Sequence, residues 1–483
     1  MAMRTSKFSG MLMVGLLAGT GWAFVLVFGQ TTSPKTPPSD ISKSKDAKKA
    51  HTNYLYIDPA SQLQKPTLSQ PLDQVAISQR PVQGYQISIP PSDISYQDVG
   101  ERMARYAIMM HAPRPMNAKM RAHTNYKVLV RRSDDPGIPV SSPDGELPGS
   151  ILANYNLPVG GGNGVIVIVD AYDYPTAEAD LRVFSAAFPT LSLPECTVAS
   201  GCLRIVKMDS SIPPDTDPKV QDCGWSGEAA IDLQWAHAIA PKAKLILVEA
   251  KSSDRDDMFD AVRKAADLVL AEGGGQIVMS WSLEEFEGEN SYDEVFRPGV
   301  LYFGASGDLG GAVTYPSSSP FVIAVGGTRI LRGTDGGFVV EEGWNGSGGG
   351  TSRFELQPQF QVGVENILDP KRSTPDLAAT AAIDVNGAGS PVYAGTVCSG
   401  NSGWYRVGGT SLATPIVAAG TNVANRRRAS VSEELGAVYG NRKNSGRIRD
   451  ITVGTSGANL ATPGYDKVTG VGVIRGVDFD GKP

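Results

Sequence analysis

Ser411 lies in a stretch that could present a reactive hydroxyl, with two glycines before it and small or apolar residues after it: Gly408-Gly409-Thr410-Ser411-Leu412-Ala413-Thr414-Pro415. Several serine hydrolases place their nucleophile in such a setting. A helix is predicted over residues 412 to 425, and the free N–H groups at its start favour developing negative charge. Pro415 is tolerated in this first turn, because N–H groups there lack helical partners. The stretch predicts a nucleophile; the alternative is a serine that only caps the helix.

The general base for Ser411 is predicted to be a carboxylate. The chain has four histidines, and only His237 lies in the portion that could form a catalytic domain. Residues 227 to 241 show a helical pattern that places Glu228 and Asp232 one turn apart on one face. At about 100° per residue, His237 points roughly 140° away from Asp232 on this helix.

Glu228 and Asp232 are too close for both carboxylates to ionise easily, so the pKa of one should rise. Such a coupled pair can take a proton from the serine and return it to a leaving amine. A solvated acidic face is the usual alternative, but the surrounding apolar residues predict that one helix face is buried near a sheet. A glycosidase is disfavoured, because a helical pair at this spacing cannot straddle a sugar bond with about 5 to 9 Å between its carboxyls.

Asp308 is a third candidate, in the glycine turn Ser306-Gly307-Asp308-Leu309-Gly310 that follows a predicted strand. A turn aspartate commonly caps its own turn, and in isolation this interpretation is the simpler one. A protonated Asp308 could instead donate its O–H to the oxyanion of a tetrahedral intermediate.

The chain after Leu147 alternates short apolar runs with amphipathic segments, which predicts an α/β fold. Unbroken apolar strands separated by helices favour a mostly parallel central sheet with helices on both faces. Reactive groups are then expected near the carboxyl ends of strands. The predicted strands are 164–170, 203–208, 243–249, 276–281, 300–305 and 321–326, and the predicted helices lie near 175–187, 226–240 and 254–272.

Residues 1 to 29 are predicted to be a signal peptide or a retained N-terminal membrane anchor. Residues 11 to 29 carry no charge and follow Arg4 and Lys7, and the run is long enough for either role. Both interpretations place the rest of the chain outside the cytoplasm, secreted or membrane-anchored.

The cysteines fit an oxidising compartment. Cys196 and Cys202 flank a short polar loop and are predicted to form a disulfide. Cys223 and Cys398 are either a second bridge or buried free thiols.

Residues 30 to 147 are rich in Ser, Pro, Lys and Gln and are predicted to be a linker or a short prosegment. Residues 1 to 147 carry 17 Lys+Arg and 11 Asp+Glu, a net charge of +6, whereas the remainder carries 27 against 39, a net charge of −12. Opposite charges could hold a removable inhibitory segment on the domain predicted over 148 to 483. A basic tether near an anionic membrane is the alternative, and no nucleic-acid partner is expected.

The motifs that bear on function follow one another in a fixed order: Trp225 to Pro241 with Glu228 and Asp232, Ser306-Gly307-Asp308, Gly326-Gly327-Thr328, Gly409-Thr410-Ser411 with Pro415, Asp450 to Gly454, and Gly464 to Gly472. In this order they resemble the sedolisin family of serine-carboxyl peptidases, over residues 148 to 475. The joint occurrence of these motifs is highly specific.

The resemblance implies a subtilisin-like fold and a serine-type endopeptidase that cleaves polypeptides at acidic pH through an acyl-enzyme. It implies that Ser411 is the nucleophile and that Glu228 is the general base and acid. Asp232 would orient Glu228, and Asp308 would be the acid of the oxyanion hole.

The C-terminal motifs resemble the family's calcium site, in which two aspartate carboxylates and several backbone carbonyls bind Ca²⁺. Such oxygen donors suit a hard cation. The implied ligands are Asp450, Ile451, Thr462, Gly464 and Asp466, of which Thr462 occupies a position that is commonly glycine.

Some positions depart from the family pattern or have two interpretations. The segment before the domain is much shorter than the family's folded prodomain, and Ser282 stands where a glycine normally follows the Ser280-Trp281 pair. Asp170 and Trp281 match positions that extend the hydrogen-bond network in some members, with strand capping and packing as the alternative.

The second functional hypothesis is a catalytically silent peptidase fold kept for binding; all four catalytic positions are filled, which argues against it.

Overall fold

The structure is a computed structural model, and it describes residues 119–131, 143–217, 224–384, 387–395, 403–424 and 428–476, together with the strand backbone at 14–18, 21–25 and 85–88. The chain divides into two units, Met1–Gln70 and Pro71–Pro483.

The first unit contains the antiparallel strands β1, Val14–Ala18, and β2, Gly21–Val25. Both lie in the segment predicted as a signal peptide or membrane anchor, and the rest of that segment lies outside the described residues. Within the described parts of the chain, no helix is both long enough and apolar enough to span a bilayer.

The second unit alternates strands and helices from residue 148 onward, as the sequence pattern predicts. Its described α-helices are α1 Pro148–Asn154, α2 Ala177–Ala186, α3 Trp225–Ile239, α4 Arg255–Ala271, α5 Thr410–Val423 and α6 Val431–Gly440. Its described strands are β3 Tyr85–Ser88, β4 His123–Thr124, β5 Lys127–Arg131, β6 Val165–Ala171, β7 Leu203–Lys207, β8 Lys244–Ala250, β9 Gly275–Met279, β10 Trp281–Glu284, β11 Val300–Ala305, β12 Thr314–Tyr315, β13 Ile323–Arg332, β14 Phe338–Gly343, β15 Gly350–Leu356, β16 Lys371–Thr374, β17 Leu377–Thr380, β18 Ser390–Ala394, β19 Gly403–Gly408, β20 Ile448–Arg449, β21 Thr455–Ser456, β22 Asn459–Leu460 and β23 Val473–Ile474. The predicted strands and helices are confirmed, with two differences: the predicted strand 276–281 ends at Met279, before the separate strand β10, and the last predicted strand spans Ile323–Arg332.

A ten-stranded sheet forms the centre of this unit. Its strand order is β20-β23-β17-β13-β11-β9-β6-β8-β7, and β14 pairs with β13 at the side of this path. The eight strands from β23 to β7 run parallel, whereas β14 and β20 pair antiparallel with their neighbours. The observed class is therefore the predicted one, an α/β fold with a mostly parallel central sheet.

Both faces of the sheet are covered, as predicted. All seven residues of β6 are buried, and because successive side chains point to opposite faces, neither face of this strand meets solvent. Helix α3 packs against α5, β6 and β8, and helix α4 packs against β6, β8 and β9. Because helices cover both faces of the sheet, a site is expected at the edge where the carboxyl ends of the parallel strands meet.

Residues 119 to 131 lie against the domain, although they precede its predicted start at residue 148. Strand β4 pairs antiparallel with β10, and β5 pairs antiparallel with β19 and β3. Between β4 and β5, Asn125 and Tyr126 are buried. Part of the predicted linker or prosegment is thus an extended chain that joins two of the smaller sheets of this unit.

Candidate active site

Helix α3 carries both acidic candidates and is buried on every side. All fifteen residues from Trp225 to Ile239 are buried, whereas the sequence pattern predicts burial of one face only. The difference arises because α2, α5 and β18 enclose the helix in addition to the central sheet. Glu228 and Asp232 are therefore shielded from water, which excludes a solvated acidic face.

Glu228 is a carboxyl group whose surroundings favour the protonated form. Burial raises its pKa well above the usual value, and the nearby Asp232 and Asp170 raise it further, while Ser411 and the Asn125 amide lower it. The Asn125 N–H donates to Glu228 Oε2 at 3.2 Å. Glu228 Oε1 has no hydrogen-bond partner among the described residues. One oxygen of this buried carboxyl group is thus free to hold or receive a proton.

Asp232 is held by Ser280, whose hydroxyl donates to Asp232 Oδ1 at 2.7 Å. Burial and the Asp170 charge raise the pKa of Asp232 well above the usual value, and the Ser280 hydrogen bond opposes them. Asp232 Oδ2 has no partner in the described part of the chain. Two unpartnered oxygens, one on Asp232 and one on Glu228 a helical turn away, fit the proton-sharing pair that the spacing predicts.

Ser411 is the second residue of α5 and is fully buried. Gly409 allows the chain to turn into this helix, because its φ of +121° favours glycine. The Ser411 hydroxyl donates to the Ser280 carbonyl at 2.8 Å, and the Asn125 N–H donates to Ser411 Oγ at 3.2 Å. The same N–H faces Glu228 Oε2, so the hydroxyl oxygen and the carboxyl group lie side by side.

Asp308 caps the start of α5 rather than its own turn. Its Oδ1 accepts hydrogen bonds from the Thr410 N–H at 2.8 Å and from the Thr410 hydroxyl at 3.0 Å. Its Oδ2 is buried, with no hydrogen-bond partner among the residues described. Burial raises the pKa of Asp308 to about 6, against the lowering effects of Lys127 and Thr410. At acidic pH the protonated carboxyl group of Asp308 therefore has an O–H that can donate a hydrogen bond.

A small space beside Gly409 has the features of an oxyanion hole. The Ser411 N–H donates to the Asn125 carbonyl oxygen there at 3.0 Å. A Cβ atom built on Gly409 would lie 2.2 Å from that oxygen and 2.6 Å from Asp308 Oδ2, so both oxygens border the same space. The Asp308 carboxyl group and the Ser411 N–H thus converge at the place where charge would develop on a carbonyl oxygen.

Comparison with known proteins shows the family of the chain. Residues 223 to 472, just over half of the chain, match the subtilase family. The chain belongs to the subtilase family. It is 27% identical to kumamolisin of Bacillus sp. (strain MN-32) over 300 residues, which are 55% of this chain and 51% of kumamolisin. It is 30% identical to sedolisin of Pseudomonas sp. (strain 101) over 207 residues, which are 40% of this chain and 31% of sedolisin.

The same subtilase resembles a solved structure of Pseudomonas sedolisin, described as a serine-carboxyl proteinase complexed with two molecules of pseudo-iodotyrostatin. The TM-score is 0.57 at 22% identity, over 69% of this chain and 96% of that chain. This likeness shows a subtilisin-like fold. The chain spans about half of kumamolisin and about a third of sedolisin.

The sequence patterns indicate no role for Ser280 and Asn125, two residues of this subtilase that contact the site. Ser280 directly follows β9, and its place at the carboxyl end of a parallel strand is the one feature of the sequence that points to the site. Asn125 had no such signal, because 286 residues separate it from Ser411. Contacts between residues so distant in the chain leave no local pattern to read.

Asp170 and Trp281 have different surroundings. Neither carboxylate oxygen of Asp170 has a hydrogen-bond partner among the described residues, and burial raises its pKa well above the usual value. Asp170 raises the pKa values of Glu228 and Asp232 through its charge. Trp281 instead donates its indole N–H to the Val169 carbonyl at 3.0 Å, so it binds the strand backbone rather than a carboxylate.

His237 faces away from the site, as its helical angle predicts. Its Nε2 hydrogen-bonds a backbone carbonyl of the neighbouring loop at 3.0 Å, and burial lowers its pKa to about 4. The loop contains the predicted disulfide between Cys196 and Cys202, which is confirmed. Because both sulfurs are bonded to each other, the cluster that they form with His237 is not a metal site. Cys223 and Cys398 lie outside the described residues.

The predicted calcium ligands lie in one C-terminal loop of the subtilase domain. The Gly464 N–H donates to Asp450 Oδ2 at 2.8 Å, whereas Asp450 Oδ1 is buried with no partner in the described chain. Asp466 accepts three backbone N–H groups, including that of Thr462 at 3.2 Å. The loop thus fixes two carboxylates and leaves one buried oxygen for a further partner.

Proposed function

We propose that this subtilase is a serine-carboxyl endopeptidase that hydrolyses peptide bonds at acidic pH through an acyl-enzyme on Ser411. One observation carries the proposal: the candidate groups converge on the backbone of a single residue, Asn125. Ser411 contacts both the N–H and the carbonyl oxygen of Asn125, and Glu228 accepts from the same N–H. Asp308 Oδ2 borders the space of that carbonyl oxygen. A polypeptide substrate would take the place of this extended chain.

The first chemical step is attack of Ser411 Oγ on the carbonyl carbon of the substrate. The hydroxyl proton, which lies toward the Ser280 carbonyl, turns to Glu228 Oε2 and is taken up by the coupled Glu228 and Asp232 carboxyl groups. The oxyanion accepts hydrogen bonds from the Ser411 N–H and from protonated Asp308.

The second step breaks the peptide bond. Glu228 returns the proton to the leaving amine, which departs as the new N-terminus of the product and leaves an ester on Ser411. Water then attacks the ester with Glu228 as the base, and the acid product is released. Raised pKa values on Glu228 and Asp232 suit this role, because the pair must retain a proton for the leaving group.

Digestion of casein tests the proposal. The purified protein should release acid-soluble peptides from casein at pH 3 to 5, and the Ser411→Ala protein, prepared in the same way, should release none. Casein that binds to the wild-type protein but stays intact across this pH range would contradict peptidase activity and support the silent binding fold instead.

We also propose that the C-terminal loop binds Ca²⁺. The buried, unpartnered Asp450 Oδ1 and the fixed Asp466 carboxylate fit a hard cation. Asp450 and Asp466 would hold the ion with the backbone carbonyls of Ile451, Thr462 and Gly464. Bound calcium would fasten the loop from 450 to 466 to itself and supply no chemistry at Ser411.

Removal of calcium is expected to lower the thermal stability. An ion that binds only the native state at a hundred times its Kd stabilises it by about 2.7 kcal/mol, so excess chelator should lower Tm by several degrees. Calorimetry with and without chelator measures this, and Asp450→Asn should remove the response. An unchanged Tm, with metal content confirmed as zero, would count against the site.

We propose further that residues 30 to 147 act as a prosegment of an exported protein, secreted or membrane-anchored. The opposite net charges of residues 1 to 147 and of the remainder support this, and so does the docking of residues 119 to 131 across Ser411. The disulfide between Cys196 and Cys202 is in keeping with an oxidising compartment.

A further inference from the structure

Residues 121 to 124 approach Ser411 between two lengths of chain. On one side, His123 and Thr124 pair antiparallel with Ser282 and Trp281. On the other side, the Ala122 N–H donates to the Ser253 carbonyl at 2.7 Å, and Arg121 forms an antiparallel bridge with Asp254. The segment is therefore held as the middle strand of three, with its direction fixed by both neighbours.

The chain after Asn125 continues along a different strand. Residues 127 to 129 pair antiparallel with 406 to 408, directly before the helix that carries Ser411. Tyr126 is buried and donates its hydroxyl to the Gly224 carbonyl at 2.8 Å. Lys127 places its ammonium group over the Trp344 ring, 4.7 Å from the ring centre. Contacts therefore continue on both sides of the Asn125 carbonyl group, as for a peptide that is to be cut within its length.

The side chain of Asn125 fills a polar pocket and is 1% exposed. Its Nδ2 donates to the Ser280 carbonyl at 3.2 Å and to Ser282 Oγ at 2.8 Å. The Ser280 carbonyl can only accept, which sets the orientation of the amide. A leucine at position 125 would leave both oxygens buried without this donor, and an aspartate would place a carboxylate against a carbonyl oxygen.

Ser282 links this pocket to the surrounding structure. The Thr314 hydroxyl donates to Ser282 Oγ at 3.2 Å, and Ser282 donates to the Ala305 carbonyl at 3.4 Å. The serine hydroxyl is thus fixed with a lone pair toward the Asn125 amide. A glycine at position 282, as is normal in the sedolisin family, would offer no hydroxyl oxygen to accept from the Asn125 amide.

We infer that the Asn125–Tyr126 bond is the bond at which this enzyme cuts its own chain, and that Ser282 makes the cleft select an asparagine on the acyl side of the cut. This inference rests on the proposed peptidase function and adds to it a cleavage site and a specificity.

The cleavage consumes one water molecule and breaks one peptide bond. Ser411 Oγ bonds to the Asn125 carbonyl carbon and passes its proton to Glu228. The bond to the Tyr126 nitrogen then breaks, and that nitrogen takes the proton from Glu228 and becomes a new N-terminus. Water hydrolyses the Asn125 ester, which leaves a carboxyl group on Asn125 and restores the Ser411 hydroxyl.

The full-length protein tests the cleavage site. After incubation at pH 4, intact mass and N-terminal sequencing should show a chain that begins at Tyr126, while the Ser411→Ala protein stays uncut. Asn125→Leu should slow the cut at least about tenfold, because it removes the amide that donates to the Ser280 carbonyl and to Ser282 Oγ. A cut at another bond with 125–126 intact, or an equal rate for Asn125→Leu, would overturn the inference.

Two quenched peptides test the specificity, one with the sequence of residues 121 to 130 and one with leucine in place of its asparagine. The wild-type enzyme should favour the asparagine peptide in kcat/KM by at least about tenfold, and Ser282→Ala should lower this ratio. Ser317→Ala is the matched control, because it removes a buried hydroxyl that also contacts Thr314 but not Asn125, and it should keep the ratio. An unchanged ratio in Ser282→Ala would exclude the specificity role.

The casein assay distinguishes a failure of the proposed peptidase function from a failure of the cleavage site alone. A wild-type protein that digests neither casein nor the peptides contradicts the proposed function itself. A wild-type protein that digests casein at pH 4 while its own chain remains intact contradicts only the cleavage site inferred at Asn125.

Discussion

Replacement of Ser411 by alanine, or of Glu228 by glutamine, is expected to abolish peptide hydrolysis and leave the fold intact. Ser411→Ala removes the attacking oxygen, and Glu228→Gln removes the group that takes and returns its proton. Each change should lower kcat/KM by at least about a thousandfold, since the two groups act as a unit and neither substitutes for the other. Steady-state hydrolysis of casein or a quenched peptide at pH 4 measures the loss, with circular dichroism to check the fold.

Matched controls separate chemistry from packing. Thr421→Ala removes a hydroxyl from the same helix as Ser411, one that donates to the Val417 carbonyl of that helix at 2.9 Å. Glu249→Gln replaces another buried carboxyl group, one whose pKa burial raises to about 7, so both side chains are uncharged at pH 4. Both should keep substantial activity. Near-normal turnover in Ser411→Ala or Glu228→Gln would contradict the assignment of these residues.

Asp232→Asn is also expected to lower kcat/KM strongly, but less than Glu228→Gln, because an amide at position 232 can still hydrogen-bond Glu228.

The pH profile is expected to show an acidic optimum and a steep loss above pH 6. Burial raises the pKa of Asp308 from 3.8 to about 6. The protonated form, which can donate to the oxyanion, therefore dominates below pH 6, and above it the protonated fraction falls about tenfold for each pH unit. The raised pKa values of Glu228 and Asp232 act in the same direction, because the pair must keep a proton for the leaving amine. Values of kcat/KM from pH 3 to 8 measure the profile.

Asp308→Asn tests the origin of that loss. An amide donates at every pH, so the variant should retain part of the activity at pH 4 and lose less than the wild type between pH 6 and 8. An identical pH dependence in both proteins would show that Asp308 does not set the upper limb. A wild-type profile that rises steadily to pH 8 would exclude the carboxyl mechanism as a whole.

The sequence by itself determined the elements and the reactive side chains. The apolar run within 164 to 170 predicts a strand that is covered on both faces of a sheet, and the observed β6 is buried throughout. The spacing of Glu228 and Asp232 places them on one face of any helix, whatever surrounds it. Gly409, two residues before Ser411, likewise marks a backbone turn that another residue would adopt only with strain.

Only the tertiary structure decided what these groups contact and how strongly they hold protons. Asp308 has an unremarkable turn sequence, and its raised pKa exists because the fold buries one of its oxygens beside α5. Asn125 carries no motif, yet β-pairing on both sides of it brings its carbonyl group to Ser411. Ser282 departs from a family pattern in the sequence, and its consequence appears only where its hydroxyl meets the Asn125 amide. Burial and contacts between distant residues are properties of the whole packed chain, and no short stretch of sequence contains them.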